Sequence, residues 1–253
     1  MLDDLTIELV FVYFLVFCRI GSAVLLLPGL SDTNVSSKAR LIVALGLSVL
    51  IAPMAKDLLP PLPASAIGFF LVAASEIIIG LLIGSVAKII FSTMHVAGQA
   101  ISFQIGLSAA NIFDPSQGGQ GSTLGMLLNM IAILVIFTTD MHHIFLTGIV
   151  DSYLLFSPTD PIPIAGFSEV ITKAVSESFL MGIKITAPQM VVGLILFLGA
   201  GVMGRLMPQM QVFFVMMPIQ IFIGFFILMV TISASMMLFI NNYSEIMGSF
   251  IAR

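Results

Sequence analysis

The sequence predicts an all-α membrane protein built of helical hairpins, and three observations predict it. Hydrophobic residues make up 59% of the chain and charged residues only 9%, whereas a soluble domain carries about 25% charged residues. The apolar residues collect into six runs (5–30, 39–55, 67–91, 124–150, 174–206 and 212–240). Most approach the roughly 20 residues of helix that cross about 30 Å of hydrocarbon. The stretches between the runs hold proline, glycine and amide side chains rather than the charged faces of soluble helices.

Taken in order, the first run carries Arg19 and ends in the polar stretch 31–38. The second is short and stops at "KDLLPPLPAS", a proline-rich turn that cannot propagate a helix. The third carries Glu76 and Lys88. It is followed by "MHVAGQAISFQIG", where small and amide residues continue on a helix toward a loop. The fourth contains Asp140, His142 and His143 and ends at "SPTDPIPIAG". The fifth carries Lys184 and Arg205, and Pro188 is expected to split it. "MPQMQ" then makes a link so short that runs five and six must form an antiparallel hairpin. No soluble domain, repeat or charge run is evident.

The net charge of −4, from thirteen acidic and nine basic residues, is too small and scattered to imply a nucleic-acid partner. Cys18 is the only cysteine, which excludes an intramolecular disulfide framework. The start, Met1-Leu2-Asp3-Asp4, has no basic n-region, so the first apolar segment is expected to be retained. With the N-terminus outside, one side of six spans collects Lys38, Arg40, Lys88 and Arg205, and the other Lys56, Lys173 and Arg253. So weak a bias suggests helices packed against other subunits rather than standard lipid-facing spans. Ionisable groups within the runs point the same way, because at bilayer depth they face protein or water.

Four features could carry function. Glu76, Gly80, Gly84 and Lys88 follow at i+4 on one helix face. Gly80 and Gly84 form a GxxxG that admits a neighbouring helix backbone, so the stripe reads as subunit packing. Glu76 and Lys88 stand about 18 Å apart along the helix, so each needs a partner elsewhere. In "DMHH", two adjacent histidines point about 100° apart on a helix and do not chelate one ion as an i, i+4 pair can. They read as hydrogen-bonding residues where a helix leaves the apolar zone, and no metal is expected. In "VMGRLMPQMQVFFVMMPIQIFIGFF", Arg205 closes one helix and Pro208 breaks it. Gln209 and Gln211 satisfy freed backbone in that turn, and Pro218 allows a kink in the returning helix. The surrounding methionines 203, 207, 210, 216 and 217 suit a compliant constriction or simple gap filling. No nucleophile elbow and no phosphate loop is found, so no enzyme activity and no cofactor is expected.

The fourth feature is the segment from Gly106 to Gly121. Asp114-Pro115 initiates a turn, and Gly118, Gly119 and Gly121 leave the chain conformationally free. Ile112 and Phe113 supply an apolar tip, while Asn111 and its amide and hydroxyl neighbours can bond water. A movable plug has these properties, and so does an ordinary solvent loop between two spans. A purely structural scaffold is compatible with the same residues. So is a solute transporter with Glu76, Lys88 and Asp140 as a midplane relay, although no inverted repeat supports it.

In this order the motifs resemble the R-subunit family of type III secretion export gates, over essentially the whole chain. The match rests on Arg19 with Pro28, Glu76-x3-Gly80-x3-Gly84, and Ala97-Gly98-Gln99 followed by Gln104-x-Gly106. Asp114-Pro115 and Asp140 with His142 extend it, and Arg205-x2-Pro208-Gln209-x2-Val212-Phe213 with Pro218 and Gly224 completes it. Gln211 stands where the family usually has Asn. The resemblance implies a P-like part over 1–170 fused to a Q-like two-helix hairpin over 171–253. It implies P-like, Q-like and B-like gate subunits as partners, and a channel for unfolded flagellar polypeptides in the bacterial inner membrane. That channel stands at the flagellar basal body and projects toward the periplasmic side. The virulence injectisome is the alternative setting. The resemblance also makes 106–121 the channel plug, formed by Gly106, Asn111, Ile112, Phe113, Asp114, Pro115, Gly118, Gly119 and Gly121.

Overall fold

The computed structural model describes residues 2–31, 35–107, 122–156, 158, 164–207, 209 and 212–251. Among them are seven α-helices: α1 (Leu2–Leu26), α2 (Ser37–Ala55), α3 (Ala66–Gln104), α4 (Thr123–Thr138), α5 (His142–Leu155), α6 (Ile164–Leu206) and α7 (Val212–Gly248). A 3-10 turn, Lys56–Leu58, follows α2, and there is no strand among the described residues. The protein is therefore an all-α membrane protein. Five helices are long and apolar enough to cross a membrane, and the bent pair α4–α5 makes a sixth candidate span.

Helix ends follow local chemistry. Ser36 holds an extended backbone and accepts the Ala39 N–H at 3.3 Å, capping α2. Pro53 sits near the end of α2, and the proline-rich stretch keeps the chain out of helix until Ala66. Three helices run longer than the apolar runs suggest. α3 has 39 residues, α6 has 43 and α7 has 37, or about 58, 64 and 56 Å at 1.5 Å per residue. Each exceeds the thickness of bilayer hydrocarbon.

Two expectations need correction. Pro188 does not split the fifth run, because α6 is continuous through it. A proline removes one rung of the hydrogen-bond ladder, and here the helix persists on both sides of the lost rung. The fourth run, by contrast, is two helices bent by 74°. At the break Asp140 takes φ 58° and the Met141 N–H reaches the Ile136 carbonyl at 3.0 Å. That is a Schellman cap with Asp140 in the left-handed position where glycine is usual.

The chain divides into two compact units. The first comprises residues 1–90, 136–176 and 243–253, and the second comprises 91–135 and 177–242. In the first unit, Leu15, Val16, Ile20 and Ala23 of α1 are fully buried. Phe11 and Leu15 pack with Ala73 of α3, and Phe14 stacks on Phe69 with centroids 5.5 Å apart. In the second unit, Phe91 of α3 meets Phe239 of α7 edge to face at 5.4 Å. The Thr93 hydroxyl donates to the Ser178 carbonyl of α6 at 3.3 Å. In the most apolar stretches of α6 and α7 only 22% of the residues are buried, and Phe179 and Leu194 of α6 and Phe222 and Met229 of α7 are exposed.

Candidate functional site

In the second unit, both ends of the 106–121 segment are fastened. Ser122 caps α4 by accepting the Gly125 N–H at 3.2 Å. Its hydroxyl also lies 3.2 Å from the Gly98 carbonyl and bonds the Ser102 hydroxyl of α3. Close helix approach makes this possible. A Cβ on Gly98 would run into the backbone of Gly125, and one on Gly125 would lie 2.9 Å from the His95 carbonyl. Paired glycines are the device that lets two apolar helices touch at the backbone.

A second fastening lies where α3 ends. The Ile105 N–H completes the helical ladder at 2.9 Å, and the Gly106 N–H turns back to Phe103 at 3.2 Å. Gly106 has φ 79°, the left-handed conformation natural to glycine at a helix C-terminus. The Gln220 amide of α7 donates to the Gln104 carbonyl, supplying a partner to a carbonyl that the helix end leaves open. The Gln189 amide of α6 donates to the Gly224 carbonyl of α7 at 2.8 Å. Gly224 leaves room for Ile105, and Gly193 leaves room for the Gln104 side chain. Gln104, Gln189, Gln220, Ser102 and Ser122 thus form a polar clamp where α3 ends and α4 begins, held by three pairs of closely approaching helices.

The first unit contains a buried ion pair. Arg19 and Glu76 are both 0% exposed. They meet through two hydrogen bonds, Nε–Oε2 at 2.7 Å and Nη2–Oε1 at 2.9 Å. The guanidinium also donates to Ser152 Oγ at 3.0 Å and to the Phe156 carbonyl at 3.2 Å. It lies 3.8 Å from the centroid of the Tyr153 ring. The pair is neutral and well bonded, as a buried pair must be, and it ties together α1, α3 and α5.

Gly80 and Gly84 explain how Glu76 reaches Arg19. A Cβ on Gly80 would collide with the Arg19 carbonyl and the Ser22 hydroxyl, and one on Gly84 would stand 2.7 Å from the Ala23 carbonyl. The stripe from Glu76 to Gly84 therefore receives α1 of the same chain, whereas Lys88 is exposed. The transporter relay has no geometric basis here, because Glu76 is sequestered by Arg19 while Lys88 and Asp140 lie at the surface.

Of the expected hairpin residues, Arg205 is exposed in the last turn of α6, Gln209 is exposed, and Pro218 is exposed within α7. Pro208 and Gln211 lie outside the described residues, as do Asn111, Ile112, Phe113, Asp114, Pro115, Gly118, Gly119 and Gly121. Gln189, Gln220, Ser102, Ser122 and Tyr153 were not singled out by the sequence. The signal that could have found the glutamines is an amide in the middle of an apolar helix, which needs a partner inside the protein. The two histidines do not diverge as expected. Their ring centroids are 4.2 Å apart with the planes 34° from parallel.

Long apolar helices whose polar side chains meet between the helices define an integral membrane protein. The chain belongs to the bacterial export proteins, family 1, which matches it over residues 10–246. It is similar to the flagellar biosynthetic protein FliR of Caulobacter vibrioides, with 33% identity over 95% of this chain and 96% of that one. The FliR proteins of Bacillus subtilis and Escherichia coli are 29% and 28% identical to it, over 94% and 92% of this chain and 92% and 87% of theirs.

Proposed function

We propose that the chain is a subunit of the flagellar type III export gate, which joins P-like and Q-like subunits and a B-like subunit around a channel for unfolded flagellar polypeptides. The gate sits in the bacterial inner membrane at the flagellar basal body and projects toward the periplasmic side. Residues 1–170 form the P-like part and 171–253 the Q-like hairpin, which turns at Pro208-Gln209. Segment 106–121 plugs the closed channel, with Ile112 and Phe113 as its seal and Gly118, Gly119 and Gly121 as its hinge. The subunit has no catalytic role.

The observation that carries this reading is the double fastening at Ser102–Ser122 and Gln104–Gln220. A loop that seals a channel must swing without loosening the wall it hangs from, and an anchored root supports that use. The exposed apolar length of α6 and α7 fits burial against sister subunits. Flagellar rather than injectisome use is favoured by relatives that are flagellar biosynthetic proteins along nearly their whole length. To test the plug, residues 110–120 are deleted in the assembled gate and ion leakage across the inner membrane is measured. Leakage is expected to rise, and leakage equal to that of the intact gate refutes the plug.

A further inference from the structure

We propose that Asp140, His142 and His143 form a binding site for a divalent transition-metal ion of the zinc type. One ligand atom from each lies within 4.8 Å of the other two. The backbone explains how adjacent histidines converge. Asp140 occupies the left-handed cap of α4, and the chain restarts at once as α5 with His142 and His143 in its first turn. Side chains of a first helical turn lean back toward the helix N-terminus, which here brings both rings toward the Asp140 carboxylate.

The rings are also held. His142 stacks on Phe137 with centroids 5.1 Å apart and planes at 28°. His143 Nδ1 lies 3.1 Å from the Asp140 carbonyl. With Nδ1–H donating there, the other ring nitrogen keeps its lone pair, the outer-shell arrangement usual for a ligating imidazole. His142 Nδ1 is buried and has no hydrogen-bond partner among the described residues, so no group of the described protein occupies that nitrogen.

Two imidazoles and one carboxylate suit Zn²⁺, Co²⁺ or Ni²⁺, whereas Mg²⁺ and Ca²⁺ prefer oxygen ligands throughout. At zinc bond lengths of about 2.0–2.2 Å, tetrahedral ligand atoms stand roughly 3.4 Å apart. The widest pair therefore closes by at most about 1.4 Å, within reach of small torsional adjustments of Asp140 and His143, which are exposed. Water takes the fourth position. The bound ion braces the 74° bend between α4 and α5.

The test uses the full chain purified in detergent through a tag without histidine. Co²⁺ is titrated as a spectroscopic probe and Zn²⁺ is added as competitor. The expected result is one Co²⁺ per chain with the visible absorption of a four- or five-coordinate ion, displaced by Zn²⁺ but not by Mg²⁺. His142→Ala and His143→Ala each weaken binding by at least about tenfold. Asp140→Gly separates ligation from folding, because glycine suits the φ of 58° while removing the carboxylate. That variant keeps its helical circular dichroism and binds at least about tenfold more weakly. The proposal is overturned if intact chain binds Co²⁺ no better than the variant lacking all three side chains, if Asp140→Gly binds with unchanged affinity, or if Mg²⁺ displaces as well as Zn²⁺.

Discussion

Replacing Glu76 with leucine leaves the Arg19 guanidinium at 0% exposure without its counter-ion. Two of its four hydrogen bonds, at 2.7 and 2.9 Å, disappear, while those to Ser152 and the Phe156 carbonyl remain. Neither remaining acceptor is charged, so the cation is solvated only by dipoles and the Tyr153 ring. Breaking a buried pair in this way costs about 3–5 kcal/mol, or on the order of a thousandfold in the ratio of folded to unfolded chain. The double replacement Arg19→Met with Glu76→Leu removes both charges and keeps most of the volume. It should recover most of that loss, ending within about 1–2 kcal/mol of the parent. Denaturant titration in detergent micelles, followed by helical circular dichroism because the chain has no tryptophan, measures both values. If Glu76→Leu loses less than about 1 kcal/mol, or the double variant is no more stable than the single one, the ion pair does not hold α1, α3 and α5 together.

Other changes probe the polar clamp between α3, α4 and α7. Gly98→Val should push α3 from α4 at Gly125, costing about 1–3 kcal/mol and lowering the yield of folded chain from detergent, whereas Gly199→Ala, where nothing lies within 4 Å, should not. Gln220→Leu strands the Gln104 carbonyl, costing about 1–3 kcal/mol. Limited proteolysis should then cut within 106–121 faster than in the parent, and an unchanged cleavage rate would remove Gln220 from the clamp. Ser122→Ala deletes the α4 cap and the bond to Ser102 together. It should cost about 1 kcal/mol and speed hydrogen exchange in the first turn of α4 more than anywhere in α2.

Much of this architecture was legible because bilayer-scale apolar runs and proline-rich breaks are local signals. The helix boundaries at 55, 206 and 212 follow directly from such breaks. Arg19 and Glu76 each stood out as expensive charges, but their pairing spans 57 positions and nothing local announces it. The continuity of α6 through Pro188 depends on surroundings that a proline rule does not contain. The break at Asp140 was missed for the opposite reason. A left-handed aspartate at a helix end is read from dihedral angles, and no proline or glycine marked it. The glutamine clamp was hidden because an isolated amide in an apolar helix looks like noise until its acceptor on another helix is known.

The seam between Ser102 and Ser122 joins points 20 positions apart, and it limits the evolutionary freedom of the helices that flank it. The stem is nearly incompressible, since Gly98 and Gly125 admit no larger side chain there. A larger side chain at either glycine therefore has to be answered by a smaller one or a shift on the facing helix, so these two positions should change together or not at all.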